Sequence, residues 1–199
     1  MRNEPCRSRV ALLLGLMLPL ASACSTEPTG SSDALLTVGG SVVNPSGNPI
    51  PANARVVVGW VVSATGSDYT YLFGEGALVG GRFGITFRQP PPDAALNAGQ
   101  LGVGIVLLTA DPAIRPGVHL EDVLVDPAQV LGATGRFAVI YATPEAAQVR
   151  DWAAGFETGY GVGVGVERVG DFDAFEPVAP TTMELIVDDL ANIDFVNWT

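Results

Sequence analysis

Arg55–Ser63 reads RVVVGWVVS, and Leu101–Leu108 reads LGVGIVLL. Both runs are of strand length, rich in β-branched residues and apolar at nearly every position. A run without polar alternation is expected to be a central strand, covered on both faces. Shorter segments flank the two. Leu35–Val43 (LLTVGGSVV) predicts a strand that ends in the dense turn Asn44-Pro45-Ser46-Gly47-Asn48-Pro49. Tyr69–Phe73, Arg82–Phe87, Arg136–Ala142, Tyr160–Arg168 and Met183–Val187 predict further strands, with a short last one over 193–198. Pro90-Pro91-Pro92 stops the Arg82–Phe87 strand, because proline has no N–H to give to a ladder. One segment differs. Thr143 is a suitable cap, Pro144 suits a first helical turn, Glu145 complements the dipole and Gly155 is a suitable stop. The fold expected is therefore all-β. It is an antiparallel β-sandwich, or a partly open barrel, of about eight strands with one short helix near 144–155.

Composition supports that class. The 199 residues include 24 Gly and 15 Pro, yet 48% are hydrophobic. This is too apolar for disorder and too rich in turn formers for a helical bundle. There are 10 Arg and no Lys against 21 acids, with one His, for a net charge of −11. Without lysine, Schiff-base and pyridoxal chemistry is excluded. An acidic surface argues against nucleic acid, which needs a basic face.

The N-terminus reads as an address. Arg2, Arg7 and Arg9 precede the apolar run Val10–Leu20, 11 residues long. A membrane span needs roughly 20, so the run is expected to be a signal core. Leu20-Ala21-Ser22-Ala23-Cys24 follows. Small residues before a cysteine resemble the lipobox of bacterial lipoprotein signal peptides, with Ala21 where the most typical box has Leu. The resemblance implies cleavage before Cys24, a diacylglyceryl group on its thiol and a further acyl chain such as palmitate on its amine. Several chains anchor stably where one does so marginally. Cys6 lies in the part removed, so Cys24 becomes the sole cysteine. That excludes a disulfide and a cysteine metal site in the mature chain. Loss of three Arg and one Glu brings the mature charge to −13. Ser25 after the lipidated cysteine, by resemblance to the enteric sorting rule, implies the outer membrane. The domains expected are a signal over 1–23, Cys24 with a flexible tether over 24–34 (STEPTGSSDA from Ser25), and one β-sandwich domain over 35–199.

Residues 37–62 carry a further pattern: Val38-Gly39-Gly40-Ser41-Val42-Val43, then Gly47-Asn48-Pro49-Ile50-Pro51-Ala52-Asn53-Ala54, then Val56-Val57-Val58. It resembles the opening hairpin of transthyretin-like, carboxypeptidase-regulatory-like modules. These are β-sandwiches, non-catalytic in most settings.

Candidate sites are few. Gly102 and Gly104 share one strand face, as do Gly161, Gly163 and Gly165 on another strand. If the strands pair, five glycines make a flat ligand floor; alternatively the Ala-rich helix or a large side chain, Trp60 or Trp152, packs closely there. Asp171, Asp173, Asp188 and Asp189 lie in two acidic segments. Joined at one end of the fold, such loops are a candidate Ca²⁺ site, since hard cations take six to eight oxygens; alternatively they are solvated surface charge. His119 alone is too few nitrogens for the usual zinc sites. No G-x-S-x-G occurs to frame a triad with Glu121 or Asp122. Tyr69, Tyr71 and Phe73 share a face, either as sheet core or to stack on sugars or a partner. With no catalytic residues identified, the expectation is a lipid-anchored binding or structural module of the cell envelope, meeting an envelope protein or glycan. The alternatives are a calcium-dependent adhesion domain, or a hydrolase built on two carboxylates about 5–10 Å apart.

Overall fold

Among the described residues ten strands follow one another: β1 (Leu36–Val43), β2 (Arg55–Ala64), β3 (Ser67–Val79), β4 (Arg82–Phe87), β5 (Leu101–Thr109), β6 (Val130–Ala133), β7 (Phe137–Ala142), β8 (Gly159–Glu167), β9 (Phe172–Val178) and β10 (Met183–Val187). The computed structural model describes residues 33–64, 67–146, 155–167 and 172–187. The fold is all-β. Seven strands close into a barrel in the order β1-β4-β3-β2-β5-β6-β10 and back to β1. Strands β7, β8 and β9 extend from β5 as a wing.

Every pairing is antiparallel except β1 with β10. The exception has a geometric cause. Directions cannot alternate all the way round a ring of seven, so closure leaves one parallel seam.

The residues read as an opening hairpin do not form one. β1 pairs with β4 and β10, whereas β2 pairs with β3 and β5. Two barrel strands, β4 and β3, stand between them. The tight hairpin is β3–β4, where Gly80 and Gly81 take φ of 58° and 73°. Two adjacent left-handed residues match the twist of a two-residue hairpin.

The central apolar runs are covered on both faces, for two different reasons. Val56, Val58 and Trp60 of β2, with Val106 and Leu108 of β5, point into the barrel beside Val38, Phe83, Ile85, Phe87 and Leu185. Val57, Val61, Ile105 and Leu107 point outward, beneath Ile114 and Leu120 of a strap over 110–129. Leu101 and Val103 instead pack with Ala138, Ile140, Ala142 and Phe175 on the wing's outer face.

The wing starts at a break. β6 and β7 run along the same edge of β5, separated by Thr134-Gly135-Arg136. Thr134 bridges the break: its N–H donates to Val106 O, and its hydroxyl accepts from Val106 N at 3.1 Å. Beyond it the far neighbour changes from β10 to β8.

The one α-helix among the described residues is a single turn, α1 (Leu120–Val123), too short to leave a periodic signal. Of the helix expected near 144–155, Ala146 N–H donates to the Thr143 hydroxyl at 3.4 Å, and Gly155 has φ of 96°. Residues 147–154 lie outside the described residues, as does the short strand expected over 193–198.

Candidate functional site

The five-glycine floor is not assembled. β7 lies between β5 and β8, so the two glycine sets never adjoin. They also face opposite sides. Gly102 and Gly104 oppose Tyr141 and Val139 on the barrel side, whereas Gly161 and Gly163 oppose Ile140 and Ala138 on the outer side. Large side chains occupy both spaces. A Cβ on Gly102 would lie 2.7 Å from Trp60 Cε3, and one on Gly104 2.6 Å from Val58 Cγ1. One on Gly161 would meet Phe156 at 2.9 Å, and one on Gly163 would meet Phe156 and Phe175 at 2.8 and 2.9 Å. Gly165 opposes Phe175 and donates its N–H to Arg136 O. The glycines are where the sheet receives these side chains.

Of the acidic residues read as a cation site, Asp171, Asp188 and Asp189 lie outside the described residues. Asp173 lies in β9 rather than in a loop, at the irregularity where the β8 register jumps from Ala174 to Phe172. Among the described residues no three His, Cys, Asp or Glu side chains gather as metal ligands.

Aromatic rings are what the fold does bring together, in two groups. The inner group fills the barrel mouth next to the wing. Phe87 of β4 stacks on Tyr160 of β8 at 4.5 Å, Tyr141 meets Tyr160 at 4.8 Å, and Trp60 lies 6.3 and 6.2 Å from Phe87 and Tyr160. These contacts fasten the wing to the opposite barrel wall. Two polar ends are engaged here: Trp60 Nε1 donates to Phe73 O, and the Tyr160 hydroxyl donates to Gln89 O, both at 2.8 Å. Burial, and after it the nearby Tyr141, pushes the Tyr160 phenol well above its usual pKa.

This chain matches no family model, no curated protein and no solved structure.

The outer group lies where β3 leaves β4. Gly74, with φ of 95°, is part of an irregularity in β3. Past it, toward the start of β3, the strap takes the place of β4. Leu72 N–H donates to Val118 O and Leu72 O accepts from Gly117 N. Thr70 N–H, the next edge donor, reaches Glu121 Oε1 at 2.8 Å. Covering an edge in this way removes a template for unwanted strand pairing. It also sets His119 directly opposite Tyr71. Opposed residues share a face, so the imidazole meets Tyr69 at 4.9 Å and Tyr71 at 5.4 Å, both edge-on. All three side chains are half-buried. The expectation that Tyr69, Tyr71 and Phe73 share a face holds: Tyr71 and Phe73 pack against the barrel core, and Tyr69 lies further out. The part of His119 is new. No local signal marks it, because the partner strand is far away in the chain.

The strap has its own polar anchor. The Arg55 guanidinium donates to Asp111 O and Ile114 O, and pairs with Glu75 at 3.8 Å. The Asp111 carboxylate accepts from the Gln129 amide and from Ala113 N–H at 2.8 Å. The Gln129 amide oxygen in turn accepts from Val125 and Asp126 N–H at 2.7 and 2.9 Å. The amide of Gln129 first, then Ala113 N–H and the Arg55 charge, hold the Asp111 carboxyl below the usual carboxylate range despite a small opposing cost of burial.

Proposed function

We propose that this chain is a lipid-anchored protein of the bacterial cell envelope, held at the outer membrane through Cys24, whose barrel acts as a binding or structural module without catalytic activity. One observation carries the reading: an 11-residue apolar run behind three arginines leads directly to Leu20-Ala21-Ser22-Ala23-Cys24. The packed interior is consistent with it. Trp60, Val106, Leu108 and Leu185 are wholly buried in the barrel core, so recognition of an envelope protein or glycan falls to residues that keep some exposure beyond that packed core. Acylation accounts for the one cysteine that the mature chain keeps, and several acyl chains hold firmly where a single one does not.

Growth of the producing cells with labelled palmitate tests the anchor. The wild-type chain is expected to take up label, to sediment with membranes and to yield an acylated N-terminal Cys24 peptide by mass spectrometry. Cys24→Ala is expected to lose all three. Equal labelling of the two, or an unlabelled wild-type chain, overturns the reading.

A further inference from the structure

We infer that Tyr69, Tyr71 and His119 form a binding site for a neutral oligosaccharide. The inference deepens the binding-module reading above and rests on it.

The three rings make a connected patch, with His119 within 4.9 and 5.4 Å of the two tyrosines. What separates them from Trp60 and Tyr160 is the state of their polar ends. Within the barrel mouth, Trp60 and Tyr160 spend their N–H and O–H on backbone carbonyls. Within the described residues, the hydroxyls of Tyr69 and Tyr71 and both nitrogens of His119 make no hydrogen bond. None of them is a fully buried atom without a partner. The patch thus offers half-buried apolar rings rimmed by unused donors and acceptors. A sugar ring presents the complement: a face of C–H groups edged by hydroxyls.

The patch is also held in place before any ligand arrives. The strap that carries His119 is tied to β3 by the two backbone bonds at Leu72 and by Glu121 on Thr70 N–H. The strap's own Leu120 and Ile114 are buried against Val57, Val61, Ile105 and Leu107 of the sheet. Groups already ordered lose little freedom on binding. Charge selects among ligands of this shape. The whole chain carries −11, and Asp68, Glu121 and Asp122 lie within three residues of the three rings in sequence. An anionic polymer or lipid headgroup is repelled, whereas a neutral glycan is not.

His119 is the only histidine in the chain, so its ring carbons give a single isolated NMR signal set. The full chain, labelled at histidine, is titrated to millimolar levels with cellohexaose, N-acetylchitohexaose and maltohexaose. A saturable shift of the His119 signals with at least one of them is expected. Tyr71→Phe and Tyr69→Phe keep the ring but lose the hydroxyl, and are expected to weaken binding about three- to tenfold each, the worth of one hydrogen bond. Tyr71→Ala is expected to abolish it. If the alanine variant fails to fold, judged by its methyl spectrum, the phenylalanine variants decide. No shift with any of the three sugars, unchanged affinity in both phenylalanine variants, or a shift only with an anionic glycan or a proline-rich peptide overturns the inference. Chromatography of the recovered sugar separates this result from the reading it rests on. Bound and intact sugar supports both, whereas bound and cleaved sugar refutes the non-catalytic module and leaves the site standing.

Discussion

Replacing Gly102 by alanine should destabilise the barrel only while Trp60 is present. A Cβ at Gly102 would fall 2.7 and 2.8 Å from Trp60 Cε3 and Cζ3, and 3.0 Å from Leu96 Cδ2. Trp60 has nowhere to go, being fully buried with its Nε1 held on Phe73 O. Overpacking of this kind costs about 1–3 kcal/mol. Alanine recovers about 0.5–1 kcal/mol of that, because glycine is the poorer strand residue. The net cost of Gly102→Ala is therefore about 0–2.5 kcal/mol, centred near 1 kcal/mol. Trp60→Leu removes Cε3 and Cζ3. It has its own cost, below the about 3–5 kcal/mol of truncating a core tryptophan to alanine. In that background Gly102→Ala should be neutral, or stabilising by up to about 1 kcal/mol. The coupling between the two sites is then about 2 kcal/mol, far outside the roughly 0.5 kcal/mol within which independent sites add. Urea unfolding followed by far-UV circular dichroism on the four proteins measures it, with the slopes checked for equality. If the two substitutions add within that margin, Trp60 is not what the glycine makes room for.

Two further outcomes concern ionisation. The Asp111 carboxyl titrates below its ordinary value of 3.8, so its stabilising contribution is present above that pH and is lost as pH falls beneath it; Asp111→Asn should flatten the acid limb of a plot of Tm against pH. Tyr160 titrates above its ordinary 10.0, so its contribution is full below that pH and declines as pH rises past it; Tyr160→Phe should flatten the alkaline limb, and at neutral pH should cost about 0.5–1.5 kcal/mol for the lost bond to Gln89 O.

Much of the strand pattern was legible because a strand writes its burial into every second residue. Arg82–Phe87 alternates, and β4 has exposed and buried residues in strict alternation. Leu101–Leu108 does not alternate, and β5 is buried at every position. The β6–β7 edge was read only in its second half. Its first half, Val130–Ala133, is four residues and carries little signal. The presumed hairpin at residues 37–62 failed for another reason. Two strands joined by a turn-rich segment look alike in sequence whether they pair or stand apart, and here β3 and β4 intervene.

The glycines show the same division. Their alternation was visible, but whether a ligand, the Ala-rich helix, Trp60 or Trp152 lay against them was left open, and Val58, Phe156 and Phe175 were not among the candidates. Which face each set takes depends on β7 lying between β5 and β8, a long-range pairing with no local trace.

By itself, then, the sequence determined an all-β chain with turns at its Gly and Pro clusters, an acidic surface without lysine, and a cysteine set behind a signal-like run. These are properties of composition and short-range order. Tertiary structure alone decided that the sheet closes at a parallel β1–β10 seam, that a wing leaves it at Thr134, and that His119 meets Tyr69 and Tyr71 across the gap between β3 and β4. Each of these joins residues distant along the chain. Such contacts follow from how buried faces pack and from which edge donors remain unpaired, and no neighbouring residue encodes them.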